Sequence, residues 1–123
     1  MDARTVLRTL MERIDERRWD ELEPLLHQDL RVTLVHTGEV YDRVGGIRLN
    51  AEYPGFDRLR IEELTGDEKT AACRSHVTGR DGDALLQFGC ASFATVEGGR
   101  IRELTEVWTD IGQVPPPGTR PES

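Results

Sequence analysis

The sequence predicts an α+β fold, one domain over residues 1–111 in which helices are followed by a curved antiparallel sheet, with a mobile Pro-rich tail over 112–123. Three observations carry this. Apolar residues at helical spacing are confined to the first part of the chain, whereas alternating, β-branched runs separated by Asp-Gly and Gly-Gly fill the second. At 123 residues, 37% hydrophobic and 32% charged, the chain is the size and composition of one soluble core.

Val6, Leu7, Leu10, Met11 and Ile14 form the apolar stripe of the first helix, with Asp2 able to cap its start and Arg17 and Arg18 favourably placed at its end. Asp20-Glu21-Leu22-Glu23 resembles a capping box and predicts a second helix carrying Leu22, Leu25 and Leu26, kept short by Pro24. Residues 31–36 then alternate as a strand, Thr37-Gly38-Glu39 turns the chain, and Val40-Tyr41 completes a hairpin. A third helix is expected over 43–53 despite Gly45-Gly46, which costs it about 1–2 kcal/mol of propensity. Tyr53-Pro54-Gly55-Phe56 ends it, and strands follow at 57–65, 69–80, 84–96 and 100–110. Pro115-Pro116-Pro117 and Pro121 bar the tail from the sheet.

The net charge of −7, with 16 basic residues scattered among 23 acidic ones, argues against nucleic acid and anionic membrane as partners. Neither a membrane span nor a signal peptide is visible, so a cytoplasmic location is expected. Cys73 and Cys90 lie in apolar strand patterns without metal-ligand spacing and read as reduced thiols. Phosphate loops, Gly-x-Ser-x-Gly, His-Glu-x-x-His and Cys-x-x-Cys are absent, and no cofactor or metal is implied.

Placing Asp81-Gly82 and Gly98-Gly99 at the centres of two-residue turns fixes a register for the last three strands. His76 then faces Gln87, Arg74 faces Gly89 and Cys73 faces Cys90. Across the next pair Phe93 faces Leu104, Ala91 faces Glu106 and Gly89 faces Trp108. One face carries Arg74, His76, Gln87, Gly89, Ala91, Phe93, Leu104, Glu106, Trp108 and Asp110. The other carries Cys73, Ser75, Val77, Leu86, Phe88, Cys90, Ser92, Thr105 and Val107. A sheet apolar on both sides, with helices for one, predicts a homodimer through the face holding Leu86, Phe88 and Val107.

The order helix, helix, short hairpin, helix, four long strands resembles the nuclear transport factor 2-like superfamily, in particular its SnoaL-like branch; the resemblance implies a cystatin-like cone, a curved antiparallel sheet wrapped around helices and a small-molecule pocket lined by the face with Glu106 and Trp108. The echoes are Arg18-Trp19-Asp20-Glu21-Leu22 leading into Leu25-Leu26-His27-Gln28-Asp29, the hairpin Gly38-Glu39-Val40-Tyr41-Asp42, and the closing run from Arg100 to Trp108. These are fold markers, and the superfamily holds isomerases, dehydratases, epoxide hydrolases and polyketide cyclases beside members without catalysis. Ungapped comparison with ketosteroid isomerase puts its general base at Leu34, its oxyanion-hole tyrosine at Leu10 and its oxyanion-hole acid at Ala91, so those groups are missing. Comparison with scytalone dehydratase keeps its helix-one aspartate as Asp15 and offers His76 as an approximate counterpart of a strand histidine.

The resemblance and the registers together nominate Glu106, His76 and Asp15 as proton carriers, His76 pairing with Asp15 or Asp110. Glu106 has two readings: a carboxyl whose pKa burial raises, or a structural ion pair with Arg74. Trp108 either floors the pocket or packs a core, with Arg74 within reach of its ring. Leu10, Ile14, Leu34, His36, Tyr53, Gln87, Ala91 and Phe93 complete the expected pocket. The function expected is a cofactor-independent dehydratase, cyclase, isomerase or epoxide hydrolase acting on an apolar or polyketide-like molecule; the alternatives are ligand binding without conversion, or dimerisation alone.

Overall fold

A computed structural model describes residues 1–122; Ser123, the end of the expected tail, lies outside the described residues. Helix α1 spans Ala3–Asp15, opened by the Asp2 carboxylate accepting from the Thr5 N–H at 2.8 Å. The expected second helix is instead two 3-10 turns, Trp19–Glu21 and Glu23–Leu25. Pro24 supplies no N–H, and β1 (Leu26–Leu34) begins directly after, leaving no room for an α-helical turn. Strand β2 (Glu39–Tyr41) and helix α2 (Arg43–Ala51) follow. The Gly-Gly pair in α2 has a packing reason: a Cβ on Gly46 would sit 3.1 Å from Val32 Cγ2, so glycine lets the helix lie close on β1.

Strands β3 (Phe56–Gly66), β4 (Thr70–Asp81), β5 (Ala84–Glu97) and β6 (Arg100–Asp110) complete one six-stranded curved sheet in the order β2-β1-β6-β5-β4-β3. All neighbours are antiparallel except β1 and β6, which run parallel with Leu34 beside Glu106. Helix α1 lies across the inner face, burying Val6, Leu7, Leu10, Met11 and Ile14 against Leu59, Cys73, Val77, Cys90, Ala94, Ile101 and Leu104. The loop into β3 is pinned by Gly55, whose φ of +77° and carbonyl bond from the Arg80 N–H (2.7 Å) bring the backbones so close that a Cβ would lie 2.2 Å from the Arg80 oxygen. Among the described residues no helix is long and apolar enough to cross a membrane.

Both expected registers need correction, for different reasons. At the β4–β5 turn Asp81 pairs with Ala84, so Gly82 and Asp83 are central, and Gly82 (φ +60°) supplies the positive φ that a type II′ turn needs at its first central position. Partners therefore slide by two: His76 faces Gly89, Arg74 faces Ala91 and Cys73 faces Ser92. A slide of two leaves the faces unchanged. At the β5–β6 turn Gly98-Gly99 is central as expected, with Glu97 opposite Arg100 and Val96 opposite Ile101. Thr95, however, pairs with Glu103, so Arg102 is an extra residue, a β-bulge. That single residue turns the rest of β6 over. Glu106 faces Ser92 rather than Ala91, Trp108 faces Cys90 rather than Gly89, and Phe93 faces Thr105 rather than Leu104.

The two faces are thereby recombined. Glu106 and Trp108 join Val77, Phe88, Cys90 and Ser92 on the inner face, while Arg74, His76, Gln87, Ala91 and Phe93 share the outer face with Val107. Phe88 and Val107, expected on one dimerisation surface, lie on opposite sides of the sheet for the same reason.

Candidate functional site

The inner face, the end of α1 and α2 enclose a cavity of about 480 Å³, within the range that holds a small organic molecule. Its depth is apolar: Met11 and Ile14 from α1, Leu34 from β1, Leu59 from β3, Val77 from β4 and Cys90 from β5, all buried. Trp19 meets Phe56 edge-on at 6.1 Å on one wall, and Phe88 meets Trp108 at 6.3 Å on another. Exposed His36, Tyr53, Thr109, Asp110 and Gln113 mark the mouth.

Glu106 is the acid of the cavity's interior. Its Oε2 accepts from the Ser92 hydroxyl at 2.8 Å and its Oε1 from the Trp108 indole N–H at 3.2 Å. Among the described residues no Arg or Lys forms an ion pair with it; Arg74 is on the outer face, bound to Glu62 at 2.9 Å and Glu63 at 3.7 Å. Burial therefore dominates and pushes the Glu106 carboxyl above its ordinary range, while the Ser92, Trp108 and Cys90 hydrogen bonds and the nearby His36 pull it back by less. Burial and the neighbouring Glu106 charge likewise push the Cys90 thiol up, which leaves it a poor nucleophile.

The surrounding elements fix this geometry. Beyond the bulge, β6 alternates so that Glu106, Trp108 and Asp110 all reach the cavity. Parallel pairing with β1 is prolonged by the Val35 N–H bond to the Glu106 carbonyl (2.9 Å), which carries His36 to the mouth. There the Trp108 backbone N–H donates to His36 Nδ1 at 3.4 Å, which ties the imidazole to β6 at the cavity mouth. Leu10 is away from the main cavity but lines a hollow of about 20 Å³ beside it, shared with Ile14, Leu49, Asn50 and Glu106, with room for about one water molecule.

Of the residues the sequence nominated, Glu106, Trp108, Leu34, His36, Ile14 and Tyr53 line the cavity. His76 does not; it is on the outer face, its Nε2 3.0 Å from Gln87 Oε1. Asp15 closes α1 from outside the cavity, clasped by Arg58 at 2.9 and 3.1 Å and by the Leu59 N–H at 2.8 Å. Those bonds hold its carboxyl below the usual range, that of Arg58 most. Gln87, Ala91 and Phe93 point outward, Phe93 being 52% exposed. The structure thus brings Glu106 to His36 and Trp108, and neither to His76 nor to Asp15.

Sequence reasoning missed Val77, Phe88, Cys90 and Ser92 as site residues because it missed the bulge. A signal was present: Ile101 and Leu104 are both buried, at 0% and 7% exposure, and a spacing of three between core positions in one strand requires an extra residue. Asn50, from the last turn of α2, also lines the cavity, its amide donating to the Gly46 carbonyl at 3.0 Å. Among the described residues no cluster of His, Cys, Asp and Glu is arranged to hold a metal ion.

Comparison with known proteins agrees with this architecture. The sequence profile of the SnoaL-like domain matches residues 7–104. A candidate ketosteroid isomerase from Kribbella flavida DSM 17836 is 30% identical, with a TM-score of 0.80 over 92% of this chain and 82% of its own. An epoxide hydrolase from M. tuberculosis, described as LEH-like, is 15% identical (TM-score 0.72, 86% and 81% covered). IdmH, a candidate polyketide cyclase from Streptomyces antibioticus, is 16% identical (TM-score 0.72, 85% and 89%). At those identities the last two share the fold. A search of curated proteins gives no match.

Proposed function

The chain belongs to the SnoaL-like domain family, and we propose that it is a cofactor-independent acid–base enzyme acting on a small, apolar or polyketide-like molecule, with Glu106 as the proton carrier. The observation that supports this is a carboxyl deep in an apolar cavity, aimed by Ser92 and Trp108 and without a cationic partner among the described residues. A carboxyl held above its ordinary range by burial serves in both directions. Protonated, it gives its proton to a substrate hydroxyl, epoxide or carbonyl oxygen; the carboxylate left behind, still holding the Ser92 and Trp108 hydrogen bonds, then takes a proton from substrate carbon or water. Dehydration, cyclisation, isomerisation and epoxide opening all need this pair of transfers.

The 30% identity to a candidate ketosteroid isomerase supports carbon acids among the substrates. Leu34 and Leu10 stand where the comparison with ketosteroid isomerase puts a general base and a tyrosine, so β6 would carry the chemistry instead. A second reading, ligand binding without conversion, draws on His76 and Asp15 lying outside the cavity, which leaves Glu106 without the partners expected of it. Native mass spectrometry of the protein as purified decides between the two. Catalysis predicts that a co-purified ligand changes on incubation with wild type and persists with E106Q. Recovery of the same unaltered ligand from both favours binding alone. We propose that the chain forms a homodimer through the outer face around Leu85, Phe93 and Val107, all at least 40% exposed; a monomer in sedimentation at micromolar concentration would refute it.

A further inference from the structure

We infer that the cavity selects its ligand by charge: it takes neutral or cationic two-ended molecules whose hydrogen-bond donor meets Asp110 at the mouth while the far end reaches Glu106. The inference rests on the cavity being a ligand site and adds the class of ligand it admits.

Strand β6 supplies the measure. Glu106, Trp108 and Asp110 alternate along one face and all line the cavity. Four residues of strand separate the two carboxyl-bearing positions by about 13 Å at about 3.3 Å per residue. Trp108 stands between them as a flat wall, with Phe88 edge-on to it. A ligand that fills this space has a multi-ring apolar body, one end at Glu106 and the other at the rim.

The charges set the sign. Among the described residues no lysine or arginine lines the cavity; its ionisable groups besides Cys90 and Tyr53 are Glu106, Asp110 and His36. Arg17 comes near, its guanidinium 5.1 Å from the Phe56 ring centre, but it is bound to the Phe56 and Asp57 carbonyls and does not line the cavity. The Asp110 carboxylate makes no hydrogen bond or ion pair among the described residues. Only its backbone carbonyl is engaged, by the Gln113 amide at 2.9 Å and the Thr109 hydroxyl at 3.5 Å. An entering anion would pass this carboxylate with no lysine or arginine among the described residues lining the cavity to receive it, in a chain of net charge −7. A hydroxyl or ammonium would find an acceptor already in place.

The chain provides its own reporter, because both of its tryptophans, Trp19 and Trp108, line the cavity. Three ultraviolet-transparent probes of one shape, 4-cyclohexylcyclohexanol, 4-cyclohexylcyclohexylamine and 4-cyclohexylcyclohexanecarboxylate, are titrated against tryptophan fluorescence at pH 8, above the ordinary imidazole range. We expect the alcohol and the ammonium to bind at least about tenfold more tightly than the carboxylate. In D110N the ratio of ammonium to carboxylate affinity should shrink at least about fivefold, as expected for one partly screened charge contact. Added salt should shrink it in the wild type as well. Equal binding of the three probes, or an unchanged ratio in D110N, overturns the inference while leaving the cavity a ligand site. A ratio that responds to E106Q and not to D110N overturns the assignment of Asp110. Failure of all three probes to perturb either tryptophan would remove the ligand site, and this inference with it.

Discussion

Replacing Glu106 by glutamine tests the central claim about the site without knowledge of the substrate. Glutamine has the same shape, can still accept from the Trp108 indole N–H, and can donate to a Ser92 hydroxyl turned to accept. What it removes is the buried charge. Burial raises the Glu106 carboxyl in the folded protein above the ordinary value of 4.5, so between that value and the folded one the native state holds a proton that the unfolded chain has lost. Wild-type stability must therefore fall as pH rises through this window and level off above the folded pKa. E106Q carries no such dependence. The stability difference, mutant minus wild type, should be smallest below pH 4.5. It should then grow in favour of the mutant, with a limiting slope of about 1.4 kcal/mol per pH unit. Urea unfolding of both proteins from pH 4 to 8 measures it. A difference independent of pH, or one that favours the wild type increasingly as pH rises, would refute the claim that desolvation governs Glu106.

Trp108→Phe keeps an aromatic wall but removes the indole donor to Glu106, so the carboxyl should titrate at still higher pH, as followed by carbon-13 NMR of labelled glutamate. Asp15→Asn loses the charge clasped by Arg58 and should cost about 1 kcal/mol near neutrality, the usual charged-bond value discounted for the partly exposed guanidinium. Because that carboxyl is lowered, its contribution is lost as pH falls below the ordinary aspartate value of 3.8, and urea midpoints of mutant and wild type should converge there. Leu7→Ala, at a site with 0% exposure beneath the sheet, should cost about 2–5 kcal/mol in urea denaturation. Deleting Arg102 removes the bulge and would turn Leu104, Glu106 and Trp108 outward; we expect loss of the cooperative unfolding transition, and a stably folded deletion would show that the bulge is dispensable to the register.

The sequence by itself determined the order of elements, because local pattern suffices for that. The apolar stripe of α1, the Asp2 cap and the glycine turns each act over a few residues. It nominates Glu106, Trp108, Leu34, Ile14, His36 and Tyr53 for a pocket, and places Glu106 and Trp108 with the wrong neighbours. The tertiary structure decided which side of β4 and β5 meets them. Side chains alternate with a period of two, so one extra residue at Arg102 inverts the rest of β6 relative to its partner, and turn counting cannot see a bulge that lies beyond the turn. That inversion separates Glu106 from Arg74 and His76 and gives it Ser92 and Cys90 instead. A carboxyl that could have been an ion-paired wall residue is left buried, hydrogen-bonded and without a counter-charge among the described residues, a difference set by packing against α1 and not by any residue's local preference.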